Sequence, residues 1–196
     1  MENTTCIKPN ERLEGKRIVL KRVFPDICLA QEIFEVEDSS RDDFLPWLGW
    51  IEETLSPNDT LEFLKASHSE WEKGINFVFG IFSNDKFIGT ISALHSAPQH
   101  HRIEIGYWLG SNFVHLGYMN EAVLLLEKEL FRIGYNRIVI HTDVLNLKSA
   151  NVAKRAGYIH EGILRQEIFS QVAGRYRDLN IFSKLKKDIM NVPSEG

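Results

Sequence analysis

Cysteine is scarce in this 196-residue chain, which carries Cys6 and Cys28 and no others. Two thiols make no disulfide framework, and they fit a reducing, cytoplasmic setting. A surplus of positive charge is missing too. Lys and Arg number 23 against 27 for Asp and Glu, a formal net charge of −4. Nonspecific binding to nucleic acid or to a membrane surface lives on a positive field, so neither is expected as a partner. The longest apolar run, AVLLL at residues 122–126, is far short of the roughly 18 residues a membrane helix needs. The opening MENTTCIKPN lacks the apolar stretch of a signal peptide, so secretion is not expected. Neither G-x-x-x-x-G-K-[ST] nor G-x-G-x-x-G occurs, which removes the main support for an NTPase, kinase or dinucleotide enzyme. H-E-x-x-H and C-x-x-C are missing as well. His100 and His101, read as leading into a strand, point their rings apart, so no metal is expected.

What is present is ordinary globular material, 43% hydrophobic and 26% charged. The chain is long enough to bury roughly 70% of its unfolded surface. No repeat, low-complexity tract or linker divides it, so one domain is expected over residues 1–196. Residues 17–23 alternate apolar and basic side chains, the period of a half-buried strand. Pro25-Asp26 opens a helix over 27–36, and residues 39–56 read as irregular. Ser56-Pro57-Asn58-Asp59 combines a capping residue, a first-turn proline and an acid three residues on. Gly74 is the natural stop of that helix. Residues 77–82 and 87–94 flank Ser83-Asn84-Asp85-Lys86 as a β-hairpin. Strands follow over 102–109 and 137–143, helices over 118–133 and 149–156, and a last strand pair over 163–169 and 175–183. Mostly antiparallel strands interrupted by single helices predict a mixed α+β sheet, with about seven strands and about four helices.

Two stretches carry chemistry. In residues 104–123, EIGYWLGSNFVHLGYMNEAV, a strand ends, a short loop crosses and a helix begins at Gly117. The first N–H groups of a helix have no partner inside it, and the macrodipole adds positive charge there, which makes an anion site. The loop holds no Lys or Arg, so backbone amides would do the binding. Glu121, in the first turn, is read as favourable to the helix dipole. The second stretch is residues 146–162, NLKSANVAKRAGYIHEG. Taken together, E-I-G-Y-W-L, G-Y-x-x-E-A at 117–122, N-x-x-S at 146–149 and A-G-Y-x-x-E-G at 156–162 resemble the GNAT N-acetyltransferases. Within these they resemble the RimJ/RimL branch of ribosomal-protein N-terminal acetyltransferases. The ordered set spans about residues 15–185, nearly the whole chain.

The resemblance implies a GNAT-like splayed sheet in which the strands at 102–109 and 137–143 part and acetyl-CoA fills the gap. The pyrophosphate would rest on the amides of His115, Leu116, Gly117, Tyr118, Met119 and Asn120. The pantetheine arm would run along Tyr107, Trp108 and Leu109, and Asn146 and Ser149 would face the thioester. Two departures stand out. The family loop is commonly Q/R-x-x-G-x-G/A, and here Val114 and Met119 replace its ends, so Met119 is expected to crowd the phosphates. Many members also place a tyrosine seven residues after the asparagine as general acid, and that position is Ala153. In the RimL-like branch a serine takes the role, and Ser149 aligns with it.

The implied reaction is attack of a neutral amine on a thioester. An α-amine, with pKa about 7.7–8.0, needs less help than a lysine amine at about 10.4. Glu104 is the first candidate base, acting through water, and Glu167 the second. Trp47 and Trp50 lie where the family builds the acceptor wall. The resemblance further implies an amine acceptor, either a ribosomal-protein N-terminus or a small molecule, and a homodimer. The alternative is a non-catalytic acyl-CoA-binding module on the same scaffold.

Overall fold

The alternating apolar pattern of the strands is realised as a single twisted sheet with helices on both faces. A computed structural model describes residues 8–190. The sheet has eight strands in the order β1-β2-β3-β4-β5-β6-β8-β7. They are β1 Arg12–Glu14, β2 Val19–Arg22, β3 Phe77–Ser83, β4 Lys86–Ala97, β5 Arg102–Leu109, β6 Arg137–Asp143, β7 Ile159–Ser170 and β8 Arg175–Leu185. The helices are α1 Ile27–Ser39, α2 Arg41–Phe44, α3 Pro57–Lys73, α4 Tyr118–Arg132, α5 Leu147–Arg155 and α6 Lys186–Met190.

The mixed, mostly antiparallel sheet is as expected, with one strand and two helices more than the sequence predicts. The short β1, α2 and α6 have 3, 4 and 5 residues, too few to show a period. The 39–56 stretch is not wholly irregular, since it holds α2 and a 3-10 turn at Gly49–Glu52. The strand reading at His100 and His101 is also corrected. Pro98, which has no N–H for a ladder, starts a 3-10 turn at Pro98–His100, and His101 takes φ 48°. Cys6 lies outside the described residues; Cys28 is exposed and free.

Local chemistry explains the ends. Asp26 caps α1 by accepting from the Leu29 amide at 2.9 Å. At α3 the capping works in reverse of the expected order. The Ser56 hydroxyl and the Leu55 amide both donate to Asp59. The turn of the β3–β4 hairpin puts Asn84 and Asp85 at φ 49° and 60°, the two left-handed residues that match the twist of paired strands.

On β5 the side chains alternate between two packing layers. Ile103 and Ile105 enter the cluster formed with Val123, Leu126 and Leu130 of α4 and Ile138 and Ile140 of β6. Trp108, on the opposite face, packs into the cluster of Ala30 and Ile33 of α1, Leu64 of α3, Val78 and Phe87. These layers pack β5 from both faces and leave its C-terminal half between them as the place where a site can form.

Candidate functional site

The β5–β6 pair is the one parallel pair of the sheet, and it is short. Arg102, Ile103 and Glu104 pair with Arg137, Ile138 and Val139. Beyond them β5 runs on to Leu109 and β6 to Asp143 without meeting. Their outer edges stay occupied, with Leu109 paired to Gly89 of β4 and Asp143 to Leu179 of β8. The result is a slot whose two facing edges carry unpaired backbone N–H and C=O groups, donors and acceptors for an extended ligand. On its far side, a Cβ on Gly89 would run into the Trp108 carbonyl oxygen, so only glycine lets β4 follow β5 this closely.

At the end of β5 the chain crosses to α4. Ser111 ties the loop to the α1–α2 junction through its amide, which donates to Ser40 Oγ at 3.0 Å, and through its hydroxyl, which donates to Asp43. His115 and Gly117 then take φ 64° and 81°, the left-handed conformation that turns successive amides inward. Gly117 provides no side-chain cap for α4. The amides of Tyr118, Met119 and Asn120 therefore have no partner within the helix. The Met119 side chain is 6% exposed and part of the core. It faces away from the loop, so the expected crowding of phosphates does not arise, and only its amide is offered.

Sequence reasoning found no cation in this loop, but the fold delivers one. Arg17, just ahead of β2, donates from Nη1 to the Leu116 carbonyl at 2.8 Å and from Nε to Glu121 at 2.9 Å. Its Nη2 lies 3.3 Å from where a Gly117 Cβ would be. Glu121 also accepts from the Arg17 amide at 2.9 Å. Burial raises the Glu121 carboxyl, but the hydrogen bonds and charge of Arg17 bring it below the usual range. Glu121 thus anchors Arg17 rather than simply facing the helix dipole.

Across the slot, Asn146 caps α5, its side chain accepting from the Ser149 amide at 3.0 Å. The Ser149 hydroxyl donates to Tyr107 Oη at 3.3 Å, and Tyr107 Oη donates to the Ser149 carbonyl at 3.0 Å. Burial pushes the Tyr107 phenol up to about 12, so it stays protonated at neutral pH. The sequence offers Tyr107 for its backbone alone. Its hydroxyl stands beside Ser149, while Ala153 is packed in the core with no exposure.

Glu104 faces the other side of the sheet, with its side chain 17% exposed. Its Oε2 lies 3.1 Å from His141 Nδ1 and 3.2 Å from His95 Nδ1. Burial raises the carboxyl, but these hydrogen bonds and charges outweigh it and leave the group below the usual carboxylate range. On the same face the buried Asp143 accepts from Arg177 Nε at 2.6 Å, and Arg177 Nη1 donates to the Trp47 carbonyl at 3.1 Å. That chain fastens the α2 segment to β6 and β8. Trp50 is 41% exposed and lies 6.2 Å, ring to ring, from Trp108. Glu167 sits apart from this group, exposed on the β7 bulge between Leu164 and Ile168. It makes no hydrogen bond or ion pair among the described residues.

His141, His95, Asp143, Arg177 and Arg17 are absent from the sequence reading. A signal existed for His141 and Asp143, polar residues alternating with Ile138 and Ile140 on β6, but their neighbours appear only with the β5–β6 register. Among the described residues no group of His, Cys, Asp and Glu could hold a metal ion, and no helix is long and apolar enough to cross a membrane.

Comparison with known proteins gives a consistent picture. Residues 17–159 match the acetyltransferase (GNAT) domain family. The ribosomal-protein-serine acetyltransferase of Escherichia coli (strain K12) is 29% identical over 183 residues, 93% of this chain and 97% of that protein. The putative ribosomal N-acetyltransferase YdaF of Bacillus subtilis (strain 168) is 34% identical over 144 residues, 71% of this chain and 78% of its own length. Among solved structures, the microcin C7 self-immunity acetyltransferase MccE, in complex with acetyl-CoA and AMP, superposes with a TM-score of 0.82 at 26% identity, covering 87% of this chain and 93% of that one. The ribosomal L7/L12 α-N-protein acetyltransferase RimL, in complex with coenzyme A, gives 0.83 at 22% identity, covering 89% and 98%.

Proposed function

Because the chain belongs to the GNAT acetyltransferases, we propose that it moves an acetyl group from acetyl-CoA to the α-amine of a protein N-terminus, a ribosomal protein first among the acceptors. The slot between β5 and β6 is the observation that carries this reading. It supplies unpaired strand edges for the amides of a pantetheine arm, ending on one side at an uncapped helix N-terminus and opening on the other to a carboxylate–imidazole cluster. Acetyl-CoA supplies the activated thioester; the chain supplies placement and proton control.

In this reading the amides of His115–Asn120 hold the pyrophosphate, with the Arg17 guanidinium beside Gly117. The edge of Tyr107, Trp108 and Leu109 holds the pantetheine, and the Trp108 and Leu109 amides polarise the thioester carbonyl. Ser149, whose hydroxyl donates to Tyr107 Oη at rest, turns that proton to the departing sulfur. A thiol of pKa about 8.5 leaves readily enough that no strong acid is needed. Asn146 acts by shaping the start of α5. Glu104 belongs to the proton route of the amine. Glu167, exposed on an edge-strand bulge, fits acceptor contact better than proton transfer. Trp47 and Trp50 form the acceptor wall, and the preference for an α-amine follows from its lower pKa. The names of the sequence relatives support a ribosomal-protein N-terminus, and with it the cytoplasm as the setting. A homodimer belongs to the same proposal, with the exposed Ile159, Ile163 and Phe169 of edge strand β7 as its support.

The test is an acceptor screen with acetyl-CoA, combining release of CoA with mass spectrometry of the acceptor. The panel holds peptides starting with serine or alanine, the same peptides with blocked N-termini, and small amines. Acetylation of free N-termini is expected. Tight binding of acetyl-CoA with no amine-dependent release of CoA would instead establish a non-catalytic acyl-CoA module.

A further inference from the structure

One carboxylate oxygen, Glu104 Oε2, is shared by two imidazoles brought from neighbouring strands, His141 on β6 and His95 beside it on β4. An ionised carboxylate only accepts. His95 Nδ1 is hydrogen-bonded to it, and His141 Nδ1 lies at ion-pair distance, where a proton on Nδ1 is favoured over a lone pair; that tautomer leaves Nε2 as the basic atom of the ring. His141 is the enclosed partner, with its side chain 19% exposed against 75% for His95. It lies two residues past Val139, the register partner of Glu104, on the same face and where β5 and β6 separate. Of the other charges on this face, Arg102 of β5, two residues before Glu104, is exposed and makes no ion pair among the described residues, and the rest pair with one another. Arg137 of β6 meets Glu161 of β7, and Asp143 of β6 meets Arg177 of β8, with Arg175 of β8 4.0 Å from Asp143. Among the described residues Glu104 is the one charged group at ion-pair distance from the His141 ring.

We propose that His141 Nε2 is the group that takes the proton from the incoming ammonium, and that Glu104 is a positioning residue that fixes the ring for this task. The proposal rests on acetyl transfer to an amine. The ammonium loses two protons in all. His141 accepts the first and passes it to water. The nitrogen lone pair then forms the C–N bond, the C–S bond breaks with its electron pair on sulfur, and the second proton ends on that sulfur. Glu104 itself, with its carboxyl already held low by two donors, makes a good anchor and a weak proton acceptor.

The substitution His141→Asn separates these roles, because an Asn amide can still donate to Glu104 from near the Nδ1 position while no basic atom remains. Acetyl-CoA binding is measured first, by calorimetry, on wild type, His141→Asn, His141→Gln and Glu104→Gln. Turnover of a serine-initiated peptide then follows across pH. His141→Asn is expected to bind acetyl-CoA as wild type does and to lose about 100-fold in kcat near pH 6.5. The loss should shrink below about tenfold near pH 9, where the α-amine arrives unprotonated. His141→Gln should behave alike, and Glu104→Gln should lose about tenfold. A purely structural role for His141 predicts a loss that does not vary with pH, and that result, or no loss at all, overturns the proposal. A pH-dependent loss confined to Glu104→Gln overturns it too and returns the base to the carboxylate. If wild type binds acetyl-CoA but acetylates no amine, the failure lies with the functional reading rather than with His141.

Discussion

The two sides of the β5–β6 slot are built from different materials. The side toward α4 is made of backbone: unpaired strand edges, left-handed His115 and Gly117, and the first amides of a helix. The opposite face is made of side chains: Glu104 with His141 and His95, Asp143 with Arg177, and the indoles of Trp50 and Trp108. A backbone site tolerates exchange of side chains, which is why Val114 and Met119 can stand where the family has other residues without closing it. A side-chain site changes with every substitution, which suits the half that the proposed function gives to the choice among amines. The contrast is testable, since each side should respond to a different kind of mutation.

The largest expected effect is on the side-chain face. Arg177→Ala strands the fully buried Asp143 carboxylate and releases the Trp47 carbonyl. Removing one partner of a buried pair costs about 3 kcal/mol, and Arg175, 4.0 Å from Asp143, offsets little at that distance. Urea denaturation should show this loss, and Arg177→Ala with Asp143→Asn should recover part of it. A single variant as stable as wild type would mean that the segment around Trp47 does not depend on this chain of contacts. On the backbone side, Gly117→Val forces a β-branched residue into φ 81°, at about 2 kcal/mol. Acetyl-CoA binding should weaken about 30-fold, with the peptide KM unchanged. Equal losses for both substrates would erase the distinction between the two sides.

The same contrast explains what was legible in the sequence. The strand through Tyr107-Trp108-Leu109 and the helix start at Gly117 follow from local signals, whereas the slot itself and the place of Asn146 were expected only from the resemblance to the acetyltransferases. The partners of Glu104 were not legible, because they depend on which strand lies beside β5. Chain order places β6 there only through a parallel crossover by way of α4, and that register alone sets His141 next to Glu104. Arg17 was missed for a related reason. It precedes a strand at the far end of the sequence from the loop it serves, and its partner Glu121 had a sufficient local explanation in the helix dipole. The short α2 escaped because four residues show no period. It matters because its last residue holds the Trp47 amide, Trp47 N donating to the Phe44 carbonyl at 2.8 Å.

Smaller effects refine the comparison at the boundary between the two sides. Ser149 lies 3.3 Å from the Tyr107 hydroxyl, and in the proposed reaction it acts on a sulfur that leaves readily without help. Ser149→Ala should therefore lower kcat about tenfold and leave acetyl-CoA binding alone. An unchanged kcat at saturating substrates would remove Ser149 from the mechanism. The mildest variant is Trp50→Ala. This indole is 41% exposed and meets Trp108 in a tilted contact, so its loss removes part of a wall rather than a core residue. Truncating a half-exposed aromatic at such a contact is worth about 0.7 kcal/mol, which predicts a rise of about threefold in the KM for a serine-initiated peptide. Acetyl-CoA should bind as before. If the acetyl-CoA affinity fell instead, Trp50 would act through Trp108 on the backbone of β5, and the two sides of the slot would be mechanically coupled at that pair of rings.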